Sequence, residues 1–145
     1  MESGSPPDEP TDEKGLVLLC DDVASIRQLM RINLELEGFA VEEAADGHEA
    51  MARLIDPELP TPDVVVLDAQ MGPKDGWWTI AAIRSHPRMR AVPVIMVTAS
   101  VQVSDRIQAA EAGLDAFITK PFDPEALVGV VSRFARDGRD AAPAS

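Results

Sequence analysis

The sequence predicts an α/β fold in which a doubly wound parallel sheet of five strands is covered by helices on both faces. Short apolar runs alternate five times with segments of helical period. Strict alternation of strand and helix produces right-handed βαβ crossovers. The runs lack polar alternation, which is typical of strands buried on both faces. The length of 145 residues allows one such domain, and 46% hydrophobic residues can fill its core.

Five apolar runs are the predicted strands, at residues 16–20, 39–44, 64–67, 94–97 and 116–118, with the second the weakest. Between them, apolar residues recur at the i, i+3, i+4, i+7 spacing of an amphipathic helix. Asp46 with Glu49 resembles a capping box for the second helix, and Asp123 with Pro124 provides a cap and first turn for the fifth. The helical stripes are Ile26/Leu29/Met30/Leu34, Met51/Leu54/Ile55, Trp77/Ile80/Ile83, Val103/Ile107/Ala110 and Leu127/Val130/Val131/Phe134.

Composition excludes several function classes. The chain has 13 Lys and Arg against 25 Asp and Glu, a net charge of −12, so it offers no basic surface for DNA or RNA. No apolar run approaches the ~20 residues of a membrane helix, and the start of the chain does not resemble a signal peptide. We therefore expect no membrane partner and a cytoplasmic location. The single cysteine, Cys20, excludes an intramolecular disulfide and is expected to be buried.

Both ends of the chain are predicted to be disordered tails. Residues 1–15 hold three prolines and five acids, with no large apolar side chain after Met1 to offset the entropy of ordering. Residues 136–145 are polar and rich in alanine. The predicted folded domain is therefore 16–135, and it is itself acidic, with 10 basic and 18 acidic residues.

Reactive side chains follow four of the five predicted strands. Asp21 and Asp22 follow the first strand, Asp68 the third, Thr98 the fourth and Lys120 the fifth. Ligands of open parallel sheets bind beyond the carboxyl ends of the strands, so the order 2-1-3-4-5 brings these side chains to one edge. Three crowded carboxylates repel one another and require protons or a cation. Oxygen-only ligation favours a hard ion, and Mg²⁺ fits best.

The segment 68–76 carries a resemblance to a known family. It keeps Asp68, Met71, Asp75 and Gly76 in register with D-x-x-M-P-x-M-D-G, the pattern that follows the acceptor aspartate in response-regulator receiver domains of two-component signalling. With Asp21-Asp22, Thr98-Ala99 and Lys120-Pro121-Phe122, the chain resembles such a receiver over about 16–135, closest in layout to single-domain chemotaxis regulators. The resemblance implies a flavodoxin-like fold. Gly72-Pro73 departs from the pattern, and so does Cys20 before the acidic pair.

The resemblance implies a role for each side chain at this edge. Asp68 is the expected phosphoacceptor, while Thr98 and Lys120 are expected to bind phosphoryl oxygens. Neutralising the charge on those oxygens is what allows a carboxylate to attack phosphorus. The expected Mg²⁺ ligands are Asp21, Asp22, Asp68 and the backbone carbonyl of Gln70. One of the pair Asp21 and Asp22 binds the ion either directly or through a water.

The resemblance also implies how phosphorylation acts. The phosphoryl donor is expected to be a histidine kinase or a histidine phosphotransfer protein. Thr98 is expected to move toward the phosphoryl group, and Phe117, at the position of the family's aromatic switch, to turn into the vacated space. This change alters the face of helix 4, strand 5 and helix 5, including 101–106, where a downstream protein is expected to bind. No turnover enzyme is predicted, and a cis Lys120–Pro121 bond is expected.

Four alternatives remain for this site. A phosphatase of the haloacid dehalogenase type needs a second aspartate two residues after its nucleophile, where Gln70 stands. A nucleotide-binding domain needs a glycine-rich loop, and none follows any predicted strand. A constitutive interaction module has no need of all the reacting residues. A phosphate sink for a kinase uses the same chemistry without a downstream partner.

Overall fold

The computed structural model describes residues 14–70, 75–99 and 103–140, and within these ranges the side chains of 103–105 and 140 stay outside the description. Strand and helix alternate in the described chain, as the sequence predicts. The elements are β1 (Leu16–Cys20), α1 (Ala24–Glu37), β2 (Ala40–Ala44), α2 (Gly47–Leu54), β3 (Val64–Asp68), α3 (Gly76–Ser85), β4 (Val94–Thr98), α4 (Val103–Ala112), β5 (Ala116–Thr119), α5 (Pro124–Asp137) and a 3-10 turn (Gly138–Asp140).

The five strands form one parallel sheet in the order β2-β1-β3-β4-β5, which confirms the predicted fold class. Alternate residues of the central strands face opposite layers of core. Val17 and Val66 pack with α1 and α5, while Leu18 and Leu67 pack with α2 and α3. β1 and β3 are almost entirely buried because helices cover both sides of the sheet.

Local capping explains where several helices begin and end. The Asp46 carboxylate accepts the Glu49 N–H at 2.9 Å, and the Glu49 carboxylate accepts the Ala45 N–H, which confirms a reciprocal cap on α2. Asp123 caps α5 with Pro124 in its first turn, as predicted. α1 ends at Gly38, whose φ of 113° requires the left-handed conformation that glycine adopts easily.

The described domain extends further at its C-terminal end than the sequence predicts. Residues 136–145 are predicted to be a tail, but α5 continues to Asp137 and a 3-10 turn follows to Asp140. Arg139 Nε lies 2.9 Å from Asp115 Oδ1, and this ion pair ties the turn to the base of the sheet. The contact joins residues 24 positions apart, so no local pattern marks it. Residues 1–13 and 141–145 lie outside the described residues.

Candidate functional site

Three carboxylates meet at the carboxyl ends of β1 and β3. Asp68 is the last residue of β3 and is 5% exposed, and Asp21, directly after β1, is fully buried. Asp22 is exposed beside them. One oxygen from each of these carboxylates lies within 4.8 Å of the other two. The structure therefore brings together the three acids that the sequence predicts at this edge.

In the part of the chain that the structure describes, Lys120 is the cation next to these acids. Lys120 follows β5, and its Nζ lies 3.3 Å from Asp68 Oδ1 and 3.6 Å from Asp21 Oδ2. The Lys120 N–H donates to the Thr98 carbonyl at 2.7 Å, which fixes the backbone beside the end of β4. The Lys120–Pro121 peptide bond is cis, as expected from the resemblance. Among the described residues, the carboxylates at this edge of the sheet outnumber the Lys120 ammonium.

The environment of Asp21 reflects this imbalance. Burial is the largest cause that raises the pKa of Asp21; the Val23 N–H, which donates to its Oδ1 at 2.8 Å, opposes the shift, and repulsion from Asp68 adds to it. Asp21 Oδ2 accepts no hydrogen bond from the residues that the structure describes. A buried carboxylate oxygen without a donor, within reach of two other carboxylates, is what a hard divalent cation can complete.

The loop after β3 approaches Asp68 closely through its backbone. The Gln70 N–H donates to Asp68 Oδ1 at 3.1 Å, so residue 70 lies directly beside the Asp68 carboxylate. A Cβ on Gly76 would lie 2.6 Å from the Asp68 carbonyl oxygen, so α3 can start this close to β3 only with glycine there. Residues 71–74, which include Met71 and the Gly72-Pro73 departure, lie outside the described residues.

Thr98 and Phe117 share a cavity next to the acids. Thr98 ends β4, and Phe117 on the neighbouring strand β5 is half-buried. The Phe117 ring meets Trp77 edge-on, with ring centroids 6.4 Å apart. This contact between α3 and β5 is absent from the sequence prediction, because nothing in the spacing of the two residues marks it. The cavity has a volume of about 270 Å³ and is lined by Ala69, Gln70, Asp75, Trp77, Thr98, Ala99 and Phe117.

His48 and Cys20 do not belong to the acidic cluster, and Cys20 is buried as predicted. His48 is exposed and tilts against Trp78, with ring centroids 5.7 Å apart. Cys20 is buried, and its thiol donates to the Asp46 carbonyl at 3.2 Å. Burial, with Asp46 nearby, raises the pKa of Cys20 to about 12, so the thiol stays protonated.

Comparison with known proteins identifies the family of this chain. The sequence model of the family described as response regulator receiver domain matches residues 17–132. The chain belongs to this family. It is a receiver domain, the module on which two-component systems switch by phosphorylation. The cluster of acids and Lys120 therefore lies in a domain of a family that functions by phosphorylation.

Individual relatives agree with the family assignment. The chain is similar to the DNA-binding dual master transcriptional regulator RpaA of Synechocystis sp., with 35% identity over 120 residues, 83% of this chain and 48% of RpaA. It is 39% identical to the transcriptional regulatory protein ResD of Bacillus subtilis over 77% of this chain and 44% of ResD. The chain thus spans about half the length of these curated relatives.

Solved structures agree on the fold. The chemotaxis response regulator CheY4 of Vibrio cholerae superposes with a TM-score of 0.75 at 31% identity, covering 81% of this chain and 96% of CheY4. A putative response regulator from Chloroflexus aurantiacus superposes with a TM-score of 0.76 at 29% identity, covering 84% and 98% of the two chains. Among the described residues, no helix has the length and apolar character needed to cross a membrane.

Proposed function

We propose that this chain accepts a phosphoryl group on Asp68, from a histidine kinase or a histidine phosphotransfer protein, and signals by binding another protein. The observation that carries the proposal is the arrangement of Asp21, Asp22, Asp68 and Lys120 at one sheet edge. The donors and the cytoplasmic location that we propose with them follow from family membership. RpaA and ResD are named for the control of transcription, and the part of each that matches this chain is less than half of its length.

The chemistry follows from the positions of the side chains. An Asp68 carboxylate oxygen attacks phosphorus, the bond from phosphorus to the donor nitrogen breaks, and the imidazole keeps the electron pair. Lys120 Nζ, 3.3 Å from Asp68 Oδ1, neutralises charge on a phosphoryl oxygen as it arrives. The Thr98 hydroxyl, at the end of the adjacent strand, donates a hydrogen bond to another. The chain thus catalyses its own phosphoryl transfer, and we propose the same for its dephosphorylation.

We propose Mg²⁺ as the cofactor. The residues fit the ion, because Asp21 offers a buried oxygen without a donor and the neighbouring ligands are all oxygen atoms. When bound, Mg²⁺ supplies positive charge that offsets the repulsion among the carboxylates and between them and the incoming phosphoryl group. The proposed ligands are Asp21, Asp22, Asp68 and the Gln70 backbone carbonyl.

We further propose that phosphorylation reaches a partner through Thr98 and Phe117. Both line the cavity of about 270 Å³, so a shift of Thr98 toward Asp68 leaves room for the Phe117 ring to turn inward. The inward turn changes the face formed by α4, β5 and α5, where we propose that the downstream protein binds. A few kcal/mol of differential stabilisation is enough to convert a minor conformer into the main one.

The proposed phosphorylation is tested by incubating the chain with acetyl phosphate and Mg²⁺ and measuring its intact mass. We expect one added phosphoryl group, and its removal by hydroxylamine, because hydroxylamine cleaves the acyl phosphate that an aspartate forms. The same reaction in excess EDTA is expected to leave the chain unmodified. Phosphate that survives hydroxylamine, or that appears at full rate with EDTA, contradicts the aspartyl phosphate or the metal, respectively.

The proposed switch is tested by NMR with beryllofluoride, a phosphoryl mimic, and Mg²⁺. We expect shift changes that run from Asp68 through Thr98 to α4 and α5. Thr98→Ala is expected to abolish the distant changes and to keep those around Asp68. Changes confined to the loops after β1, β3 and β5 in the parent chain contradict the coupling.

A further inference from the structure

A groove between α4 and α5, over β5, carries positive charge on an otherwise acidic protein. Its volume is about 330 Å³, and both apolar and charged side chains line it. Two arginines lie at its walls, Arg106 from α4 and Arg133 from α5. We call this the α4–α5 groove, and the lining residues that matter here are Arg106, Ala110, Asp115, Phe117, Arg133 and Phe134.

The two arginines have no acidic partner in the part of the chain that the structure describes. Arg133 Nε is buried without a hydrogen-bond acceptor there, and its guanidinium lies 5.9 Å from the centre of the Phe134 ring. Asp115, the carboxylate in the groove, is already bound by Arg84 at 2.8 Å and Arg139 at 2.9 Å. Among the described residues, the groove therefore presents two cations without an acidic partner, which favours an acidic segment as its occupant.

The chain itself supplies a segment of the opposite charge. Residues 1–13 contain no Lys or Arg, and their prolines have no N–H donors of their own to satisfy. Proline favours the extended polyproline II conformation, which is suited to lying along a groove. Its five acids are Glu2, Asp8, Glu9, Asp12 and Glu13.

The place where the described chain begins puts this segment within reach. Lys14 lines a cavity with Phe39, Ser132, Ala135 and Arg136, so the described chain begins next to α5. Thirteen residues span at most about 43 Å when extended. α5, with its 14 residues, is only about 21 Å long. The segment can therefore pass the end of α5 and enter the groove on its other side.

We propose that residues 1–13 bind in the α4–α5 groove of their own chain, with their carboxylates against Arg106 and Arg133. A short tether gives the segment an effective concentration of the order of mM, so weak individual contacts suffice. The groove forms part of the face assigned above to a downstream protein, so the bound segment competes with that protein. The inference goes beyond the proposed function and needs no phosphorylation.

The experiment measures where residues 1–13 contact the domain. A nitroxide label on Ser5→Cys broadens nearby amide signals in NMR spectra of the full chain, and Cys20 does not compete for the label because its thiol is buried and protonated. We expect broadening at Ala110 and Ala116 that disappears in about 1 M salt, where the Debye length falls to about 3 Å. Broadening confined to the surroundings of Lys14 overturns the proposal.

Two sets of variants separate the proposed contact from chance proximity. Arg106→Gln with Arg133→Gln is expected to abolish the broadening in the groove, and Arg90→Gln, an exposed arginine outside the groove, is expected to leave it unchanged. If the double variant is misfolded, the contact is tested by replacing the five acids of residues 1–13 with their amides, which leaves the domain intact. If the broadening in the groove persists in the folded double variant, or in the amide variant where that one is used instead, the proposal is overturned.

A mixed sample distinguishes binding within one chain from binding between chains. Isotope-labelled chains without the nitroxide are mixed with spin-labelled chains that carry no isotope. We expect no broadening in this sample, and broadening here overturns the claim that the segment binds its own chain. None of these outcomes depends on Asp68, so the proposed phosphorylation can fail while this contact holds, and the reverse.

Discussion

Two clusters of charged side chains lie at opposite ends of the sheet and differ in how their hydrogen bonds are satisfied. At the amino ends of β4 and β5, Asp115 is held by Arg84 and Arg139, and its Oδ2 also accepts the Val94 N–H at 2.9 Å. The Arg84 guanidinium donates to the Gly113 carbonyl as well. Both carboxylate oxygens of Asp115 therefore have donors.

At the carboxyl ends the reverse holds. Asp21 Oδ2 is buried without a donor among the described residues, and Lys120 is shared between Asp21 and Asp68. Burial raises the pKa of Asp21, because its charged form lacks full compensation. Charges with satisfied hydrogen bonds are typical of a structural role, whereas a cluster of unsatisfied charges is typical of a site that binds a ligand.

The largest expected difference between the two clusters is in how a substitution in each affects phosphorylation. Asp68→Asn removes the nucleophile and keeps the shape of the side chain, so we expect complete loss of phosphate incorporation from acetyl phosphate, measured by intact mass. Asp115→Asn, at the opposite end, is the matched control and is expected to retain incorporation in its folded fraction. Undiminished phosphate on the Asp68 variant contradicts the assignment of the acceptor.

Stability is expected to respond in the opposite sense. Asp115→Ala leaves the largely buried Arg84 without its carboxylate, which costs about 3 kcal/mol of unfolding free energy. Asp68→Ala removes one of three mutually repelling carboxylates, so we expect no loss of stability. Urea denaturation of the two variants without divalent cations measures both. A larger loss in the Asp68 variant shows that satisfaction of charge does not distinguish the clusters.

The carboxyl end of the sheet could be predicted from sequence, and the amino end could not. Strand ends determine where Asp21, Asp68 and Lys120 meet, since parallel strands bring their carboxyl ends to one edge. Arg84 and Asp115 are 31 residues apart, in a helix and a loop whose patterns show no pairing. The same holds for the other long-range contacts that the sequence did not predict.

The contacts that the sequence does not predict have one feature in common: each joins side chains from different elements. The ion pair of Arg139 with Asp115 orders residues that composition alone marks as a tail, and the contact of Trp77 with Phe117 depends on how α3 packs against β5. Residues 1–15 stay a predicted tail, of which only Lys14 and Gly15 are described. Local pattern predicts elements and strand ends, whereas side-chain pairing between elements depends on the packed structure.

A divalent cation is expected to stabilise the folded chain by compensating the unsatisfied carboxylates at the carboxyl ends of the strands. At about ten times its dissociation constant, Mg²⁺ is expected to add about 1.4 kcal/mol to the unfolding free energy. Thermal unfolding with MgCl₂ is compared with KCl at the same ionic strength. Asp21→Asn removes a proposed ligand and is expected to weaken this stabilisation, whereas Glu35→Gln, on the exposed side of α1, is expected to keep it. An equal effect of the two salts contradicts the metal site.

The smallest expected effect comes from a carboxylate that is satisfied but not deeply buried. Glu43 on β2 accepts from Arg31 at 2.6 Å and from Arg27 at 2.9 Å, and its side chain is 27% exposed. The hydrogen bond from Arg31 is the largest cause that lowers the pKa of Glu43 below its ordinary 4.5, and the bond from Arg27 adds to it. Because solvent screens the site, we expect Glu43→Gln to cost only about 0.5–1 kcal/mol at neutral pH.

The pH dependence of this loss identifies its origin. Since the folded chain holds Glu43 ionised to a lower pH than the unfolded chain does, the stabilisation is fully present above 4.5 and is lost as the pH falls through the lowered pKa. The parent chain and Glu43→Gln should therefore converge in unfolding free energy as urea denaturation is repeated at decreasing pH. If the difference in unfolding free energy between the two chains is the same at neutral and at low pH, Glu43 stabilises the domain by packing and not by its charge. In that case Asp115 and Glu43 differ in stabilising effect because of burial and not because of their ion pairs.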